Sequence, residues 1–180
     1  MPGLPTPDCC LVGQATIEQM MALARLTPSE GCFVEVGVYQ GGSAQHLHAL
    51  AWEQSRLLYL YDTFKGMPHY SKEDGDNHPL GDFADTSYEA VRPRVPYALM
   101  VQGIFPQSAI PMPPIAFAHV DVDNYQCVIE TGRYLAQHMC RGGIIWFDDS
   151  PCLAGAKKAT FELFGDSLEL SLTGQHFVRL

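Results

Sequence analysis

The sequence predicts an α/β fold with a mostly parallel sheet and helices on both faces. Short apolar runs rich in β-branched and aromatic residues alternate with segments of helical pattern, which is typical of parallel strands covered on both faces. The last segment has the pattern of a hairpin, which adds an antiparallel edge. A chain of 180 residues that is 47% hydrophobic is long enough to bury the core of a single domain.

Each predicted element rests on its own run of residues. The central strands are predicted at residues 32–38, 57–62, 97–101, 115–121 and 144–148, and the helices at residues 16–26, 43–53, 88–94, 125–138 and 155–164. Two further strands, joined by a turn at Thr173-Gly174, are predicted within residues 168–180. No linker or internal repeat interrupts this order, so residues 1–180 are predicted to form one domain whose first 30 residues are a short helical segment.

Composition argues against several classes of partner. The net charge is −9, from 20 acidic and 11 basic residues, which argues against nucleic acid. No stretch approaches the roughly 20 apolar residues of a membrane span. Residues 1–7 lack the basic start and apolar run of a signal peptide, and the six cysteines lack the paired spacing of a zinc site. We therefore expect a reduced, cytoplasmic protein that does not bind membranes.

A glycine-rich loop follows the first predicted strand. Glu35 lies in that strand, and the next residues have the pattern G-x-x-x-G-G-S from Gly37 to Ser43. Gly37 permits a tight turn, while Gly41 and Gly42 let a ligand approach the main chain where a helix begins. Asp62 ends the second strand about 20 residues after the loop, where a carboxylate accepts hydrogen bonds from ribose hydroxyls. The pattern differs from the G-x-G-x-x-G of dinucleotide-binding proteins, so it predicts an adenosine-type cofactor without a pyrophosphate; a plain strand-to-helix turn is the alternative.

Three aspartates follow two other predicted strands. Asp121 ends the fourth strand, and Asp148 and Asp149 end the fifth. Carboxylates that converge on one edge of a sheet repel one another unless they are protonated or share a cation. Oxygen ligands suit Mg²⁺, which lowers the pKa of a bound hydroxyl as a Lewis acid. Helix capping by Asp148 and a solvated Asp149 are the alternative, but three converging acids favour the metal site.

His119 lies two residues before Asp121, on the same face of its strand. A packed core residue is the simpler interpretation, and a partner or base beside the metal is the alternative. Two enzyme classes explain only part of the pattern. The sequence Asp121-Val-Asp123 matches the D-x-D of metal-dependent glycosyltransferases but leaves the glycine loop unexplained, whereas an NAD-dependent oxidoreductase leaves the three acids unexplained.

Residues 31–164 resemble a class I S-adenosylmethionine-dependent methyltransferase of the macrocin O-methyltransferase (TylF-like) family. The segments that carry the resemblance occur in the family's order, at residues 33–43, 61–68, 81–87, 102–106, 119–125, 142–149 and 155–159. The resemblance implies a Rossmann-like sheet of seven strands with an antiparallel last strand. It also implies Mg²⁺-dependent transfer of a methyl group from S-adenosylmethionine to a hydroxyl of a small molecule, such as a sugar on a natural product.

The resemblance assigns roles to particular residues. The methionine end of the cofactor would be held by Glu35, Gly37, Gly41, Gly42 and Ser43. Asp62 would bind the ribose, Thr63 and Phe64 would lie close to the adenosine, and Ser87 and Gly103 would lie near the adenine. Asp121, Asp148 and Asp149 would hold Mg²⁺, and Asp121 would also be the general base. The segments flanking the acids, around Gln126 and Ser150, depart from the family pattern, which indicates a different acceptor pocket. A homodimer is a further expectation, and a cofactor-binding module without catalytic activity is the alternative function.

Overall fold

The computed structural model describes residues 9–180, so the predicted lack of a signal peptide at residues 1–7 lies outside the described residues. The helices are α1 (Gln14–Arg25), α2 (Gly42–Glu53), α3 (Tyr88–Val91), α4 (Tyr125–His138) and α5 (Ala154–Phe164). The strands are β1 (Cys32–Val36), β2 (Leu58–Asp62), β3 (Leu99–Gln102), β4 (Ile115–Val120), β5 (Met139–Phe147), β6 (Leu168–Leu170) and β7 (His176–Arg179). Within the described part of the chain, none of the helices is both long and apolar enough to cross a membrane.

The strands form one seven-stranded sheet in the order β3-β2-β1-β4-β5-β7-β6. Strands β1 to β5 are parallel, whereas β7 is antiparallel to both β5 and β6. The predicted fold class is therefore confirmed, including the antiparallel hairpin at the end of the chain. The strand order reverses between β1 and β4, and ligands of open α/β sheets bind at such a switch point.

The two central strands explain why the sequence reads as continuous apolar runs. Every residue of β1 and β4 is buried, because helices cover both faces of the sheet at this point. One apolar cluster packs around α1 and α2, and the other packs around α4 and α5. Two polar residues lie inside these strands without any solvent exposure, Glu35 in β1 and His119 in β4.

Most element bounds agree with the predictions to within two residues, and α4 agrees at both ends. The largest difference is in β5, which begins at Met139 rather than at Ile144. Arg141, Gly142 and Gly143 weaken the strand pattern, and the pairing of β4 with β5 shifts register beyond Ile115. The predicted third helix is also shorter, since α3 ends at Val91 and a 3-10 turn containing Pro93 continues to Arg94.

Candidate active site

A single cleft lies at the carboxyl ends of β1, β2, β4 and β5 and brings together most of the residues that the sequence singles out. Nine of them line it: Gly37, Gly42, Ser43, Asp62, Thr63, Gly103, Asp121, Asp148 and Asp149. Four do not line it: Glu35, Gly41, Phe64 and Ser87. The glycine loop and the acid trio therefore belong to one site, as the converging strand ends predict.

Gly37 and Gly42 allow main-chain segments to pack closely around the cleft. Gly37 has φ +90°, and a Cβ atom there would lie 1.7 Å from the backbone oxygen of Asp121. This close approach joins the end of β1 to the end of β4, and only glycine permits it. A Cβ atom on Gly42 would lie 2.3 Å from the Cα atom of Cys10, so the segment before α1 packs directly on the glycine loop.

Asp62 holds the glycine loop in place. Its Oδ2 atom accepts hydrogen bonds from the backbone N–H groups of Val38 (2.7 Å) and Tyr39 (2.8 Å), and its Oδ1 atom accepts one from Phe64 (2.7 Å). A carboxylate has about four acceptor positions, so Asp62 retains capacity for a ligand hydroxyl. Asp62 lies at the end of β2 beside the loop, which is the position that the sequence predicts for a ribose-binding acid.

The four predicted residues outside the cleft have other contacts. Ser87 caps α3, where its Oγ atom accepts a hydrogen bond from the backbone N–H of Ala90 (3.2 Å). Phe64 is buried and packs edge-on against Tyr88. Gly41 immediately precedes α2, and Glu35 is buried below the glycine loop. Direct contact of these four residues with a cofactor stays a prediction from the resemblance.

Asp121, Asp148 and Asp149 form a compact acid cluster. One ligand atom from each carboxylate lies within 4.8 Å of the others, and all three side chains are partly buried. Backbone pairing that extends beyond the strands aligns the cluster, because the N–H of Asp121 donates to Val36 and the N–H of Asp148 donates to Val120. Three carboxylates at these separations are suited to bind a divalent cation through oxygen.

The charge balance of the acid cluster is unfavourable without a cation. Burial and the charges of Asp149 and Asp148 raise the pKa of Asp121 well above its usual value. Burial and the charges of Asp123 and Asp148 raise the pKa of Asp149 to about 8, and burial together with Asp148 and Asp82 raises the pKa of Asp123 to about 7. A cation that neutralises the cluster would remove much of this repulsion.

Two fully buried polar residues link the cluster to the glycine loop. The Oε1 atom of Glu35 accepts a hydrogen bond from Ser43 Oγ (2.5 Å) and lies 2.8 Å from His119 Nδ1. His119 Nε2 faces Asp148 Oδ1 at 3.8 Å. Burial alone would lower the pKa of His119, but its interactions with Asp148 and Glu35 outweigh burial and raise that pKa well above its usual value. The sequence favoured a packed core role for His119, and the structure places it in the core and against the acid cluster.

A long loop, residues 63–87, joins β2 to α3 and contacts the segment that follows Asp121. Asn124 Nδ2 donates hydrogen bonds to the backbone oxygens of His69 (2.6 Å) and His78 (2.8 Å). Asp76 Oδ1 accepts a hydrogen bond from the backbone N–H of Tyr125 at the start of α4 (2.7 Å). His78 Nε2 lies 3.9 Å from Asp123 Oδ1, and Asp123 lines the cleft. These contacts fix the loop to the segment that follows Asp121.

The structure also adds cleft residues that the sequence did not indicate. Cys9, Cys10, Leu11 and Val12 line the cleft from the amino-terminal side, where Cys10 packs on Gly42. Nothing in this short segment resembles a ligand-binding motif. The one sequence feature related to this packing is Gly42, where a side chain would clash with the backbone of Cys10.

Comparison with solved structures identifies relatives of the same fold. The O-methyltransferase NovP matches with a TM-score of 0.81 and 20% identity, covering 97% of this chain and 83% of NovP. The calicheamicin methyltransferase CalS11 matches with a TM-score of 0.71 and 20% identity, covering 92% of this chain and 78% of CalS11. The O-methyltransferase TomG from Streptomyces achromogenes matches with a TM-score of 0.60 and 17% identity, covering 95% of this chain and 80% of TomG. No curated protein sequence matches significantly.

A family model matches most of the chain. The model describes macrocin O-methyltransferase (TylF) and aligns with residues 4–166, a range that includes the glycine loop, Asp62 and the acid cluster. This match excludes the glycosyltransferase and the NAD-dependent oxidoreductase that the sequence left as alternatives, and it favours an enzyme over a non-catalytic module. The chain belongs to the macrocin O-methyltransferase (TylF) family of enzymes.

Proposed function

We propose that this protein transfers a methyl group from S-adenosylmethionine to a hydroxyl of a small molecule, with Mg²⁺ bound at the acid cluster. The observation that carries the proposal is the presence, in one cleft, of the glycine loop with Asp62 and of three carboxylates whose ligand atoms lie within 4.8 Å of one another. A nucleoside site and a divalent cation site on adjacent strands are the two parts that metal-assisted methyl transfer requires.

The residues of the cleft fit S-adenosylmethionine. Gly37, Gly42 and Ser43 present main chain and a small side chain at the start of α2, and Asp62 retains acceptor capacity for ribose hydroxyls. Thr63 and Gly103 line the cleft next to Asp62, on the side proposed for the adenosine. TomG was solved in complex with SAM, which supports this choice of cofactor. When bound, S-adenosylmethionine supplies a methyl group activated by the positively charged sulfur.

The acid cluster fits Mg²⁺ by the chemistry of its donors. Asp121, Asp148 and Asp149 offer only oxygen ligands, which Mg²⁺ prefers, and the partial exposure of the three side chains leaves space for water and substrate oxygens. When bound, Mg²⁺ supplies a positive charge that lowers the pKa of an acceptor hydroxyl. It also offsets the repulsion that raises the pKa values of Asp121 and Asp149.

In the proposed reaction the acceptor oxygen displaces the sulfur from the methyl carbon in line. A carbon–oxygen bond forms, the carbon–sulfur bond breaks, and S-adenosylhomocysteine is the second product. Asp121 is the proposed general base that takes the proton of the acceptor hydroxyl, because it is a cleft carboxylate at the end of β4 beside the glycine loop. Most of the rate enhancement would come from holding the two reactants in line and from stabilising the developing negative charge.

The proposed acceptor is a hydroxylated small molecule, with a sugar or a glycosylated natural product as the leading class. CalS11 is a TDP-rhamnose 3'-O-methyltransferase, so an enzyme of this fold methylates a sugar hydroxyl. The loop between β2 and α3 supplies His69 and Phe83 to the cleft, and such groups suit hydrogen bonding and stacking with a sugar ring. We also propose a homodimer, tested by sedimentation, and a reducing, cytoplasmic location, supported by the six free cysteines of the described residues.

The experiment that tests the proposed chemistry is methyl transfer to a saccharide panel with and without Mg²⁺. We expect activity that EDTA abolishes and Mg²⁺ restores, and the double variant Asp148→Asn, Asp149→Asn should lose at least about 100-fold in kcat/KM because two of three ligands are removed. Asp166→Asn, a change in the turn after α5 outside the cleft, is the matched control. Full activity of the double variant in the presence of chelator would refute the metal-dependent mechanism.

A further inference from the structure

Glu35 and His119 form a fully buried ionisable pair that the proposed reaction does not use directly. The two residues lie opposite each other on the central strands β1 and β4, and neither has any solvent exposure. Ionisable side chains are almost never buried to this extent without partners, and an apolar pair of similar volume is often equally or more stable in a core. Their presence at the centre of the sheet therefore calls for a reason other than packing.

The contacts of Glu35 fix the orientation of the His119 ring. Glu35 Oε1 accepts a hydrogen bond from Ser43 Oγ (2.5 Å) and lies 2.8 Å from His119 Nδ1. Ser43 belongs to the first turn of α2 and lines the cleft. The ring is thus held on one side by a carboxylate that is itself tied to the glycine loop.

The other side of the ring points at the acid cluster. His119 Nε2 lies 3.8 Å from Asp148 Oδ1, and it is buried without a hydrogen-bond partner. A buried polar atom without a partner is energetically costly, so its direction toward Asp148 is informative. Trp146 Nε1 also faces Asp148 Oδ1, at 3.4 Å. Two ring nitrogens on neighbouring strands therefore converge on a single oxygen of one proposed metal ligand.

We propose that His119 is a positioning residue that holds the Asp148 carboxylate in the orientation required to bind the divalent cation, with Glu35 fixing the ring. Groups that orient metal ligands in this way typically change metal affinity 10–100-fold when they are removed. The inference rests on the proposed metal site, and it assigns to Glu35 an indirect role in place of the direct cofactor contact that the sequence predicts.

Two substitutions of His119 separate positioning from core packing. The amide nitrogen of an asparagine side chain is separated from the main chain by the same number of bonds as Nδ1 of histidine. The amide nitrogen of a glutamine side chain corresponds in the same way to Nε2 of histidine. His119→Asn therefore keeps a donor toward Glu35 and loses the one toward Asp148, whereas His119→Gln keeps the one toward Asp148. Both variants place a smaller neutral amide in the same buried position, so a purely structural role would affect them alike.

The test is calorimetric titration of the full chain and its variants with MgCl₂ alone. We expect His119→Asn to weaken Mg²⁺ binding roughly 10–100-fold and His119→Gln to stay within about threefold of the wild type. Titration with S-adenosylhomocysteine in EDTA should give similar affinities for all three proteins, which checks that the cleft is intact. Equal Mg²⁺ affinity in wild type and His119→Asn, or equal weakening in both variants, would overturn the positioning role.

A variant of Glu35, which contacts His119 rather than Asp148, provides a second test if the His119 variants do not fold. Glu35→Gln keeps an oxygen that can accept from Ser43 and face His119, but it removes the negative charge that strengthens the contact with the ring, so it should also weaken Mg²⁺ binding several-fold. Wild-type affinity for Mg²⁺ in Glu35→Gln would contradict the proposal. If the wild-type protein itself does not bind Mg²⁺, the proposed function fails; if it binds and the variants bind equally, only the role of His119 fails.

Discussion

At the scale of single residues, the acid cluster combines poor solvation with like charge. The pKa of Asp149 is raised to about 8 and that of Asp123 to about 7, by burial and by neighbouring carboxylates. In the unfolded chain the same groups have pKa values of about 3.9. A carboxyl group whose pKa is raised by folding binds more protons in the native state than in the unfolded state between the two pKa values, so its contribution to stability is lost progressively as the pH rises from the unfolded pKa to the native pKa.

A prediction about the pH dependence of stability follows from these raised pKa values. In EDTA, the free energy of unfolding should fall as the pH rises from about 6 to about 8, because over this range the carboxyl groups are ionised in the unfolded chain while Asp123 and Asp149 still hold protons in the native protein. Saturating Mg²⁺ should reduce the fall, because the cation favours the ionised carboxylates. Urea unfolding at several pH values, with and without Mg²⁺, measures both effects. A stability that rises over this pH range in EDTA, or that is insensitive to Mg²⁺, would contradict the account.

At the scale of elements, the loop between β2 and α3 depends on the start of α4. Asn124 is fully buried and donates to two backbone oxygens of the loop, those of His69 and His78. We predict that Asn124→Ala loosens the loop, because it removes two hydrogen bonds worth about 1 kcal/mol each. Amide hydrogen exchange across residues 66–82 should become roughly tenfold faster or more, while exchange in β1 and β4 is unchanged.

Gln126→Ala is the matched control for this prediction, since Gln126 lies in the first turn of α4 and bonds to Glu130 rather than to the loop. Uniform acceleration of exchange throughout the sheet in Asn124→Ala would indicate global destabilisation. Unchanged exchange in the loop would show that Asn124 does not hold it.

The elements also show what the sequence reveals and what it conceals. Helix α4 follows from its hydrophobic pattern because it buries one face. The strand ends that bear Asp62 and Asp121 follow from apolar runs, because the strands lie between two layers of helices. The roles of Ser87 and Phe64 depend on a turn and on side-chain packing, which no local pattern specifies. The contribution of residues 9–12 to the cleft depends on contacts with Gly42, more than 30 positions away in the chain, and therefore appears only in three dimensions.

At the scale of the whole molecule, the charge of the cleft limits the acceptor. Six acidic residues line the cleft: Asp62, Asp121, Asp123, Glu130, Asp148 and Asp149. Within residues 9–180, no lysine or arginine lines it. One Mg²⁺ leaves this site with net negative charge, in keeping with the net charge of −9 of the chain. We therefore predict that this enzyme, unlike the TDP-rhamnose methyltransferase CalS11, prefers neutral or cationic acceptors to a nucleoside diphosphate sugar.

We predict a corresponding order of activity for matched saccharides that differ in one amino, hydroxyl or carboxyl group. An anionic group about 5 Å from one unpaired carboxylate costs about 3 kcal/mol at an effective dielectric constant of 20, or roughly 100-fold in kcat/KM. Amino and hydroxyl derivatives should therefore be methylated faster than the carboxyl derivative, with a difference that shrinks at high salt. Preference for the carboxyl derivative would contradict the prediction that the negative charge of the cleft selects the acceptor.

The central claim is that one cleft binds S-adenosylmethionine through the glycine loop and Asp62 and binds Mg²⁺ at the adjacent acid cluster. Calorimetric titration of the purified protein with S-adenosylhomocysteine, with and without Mg²⁺ and with NAD as the control ligand, tests it most directly. We predict micromolar binding of S-adenosylhomocysteine, no binding of NAD, and a separate Mg²⁺ isotherm that the Asp148→Asn, Asp149→Asn variant lacks. Absence of S-adenosylhomocysteine binding under both conditions would contradict the account at the glycine loop.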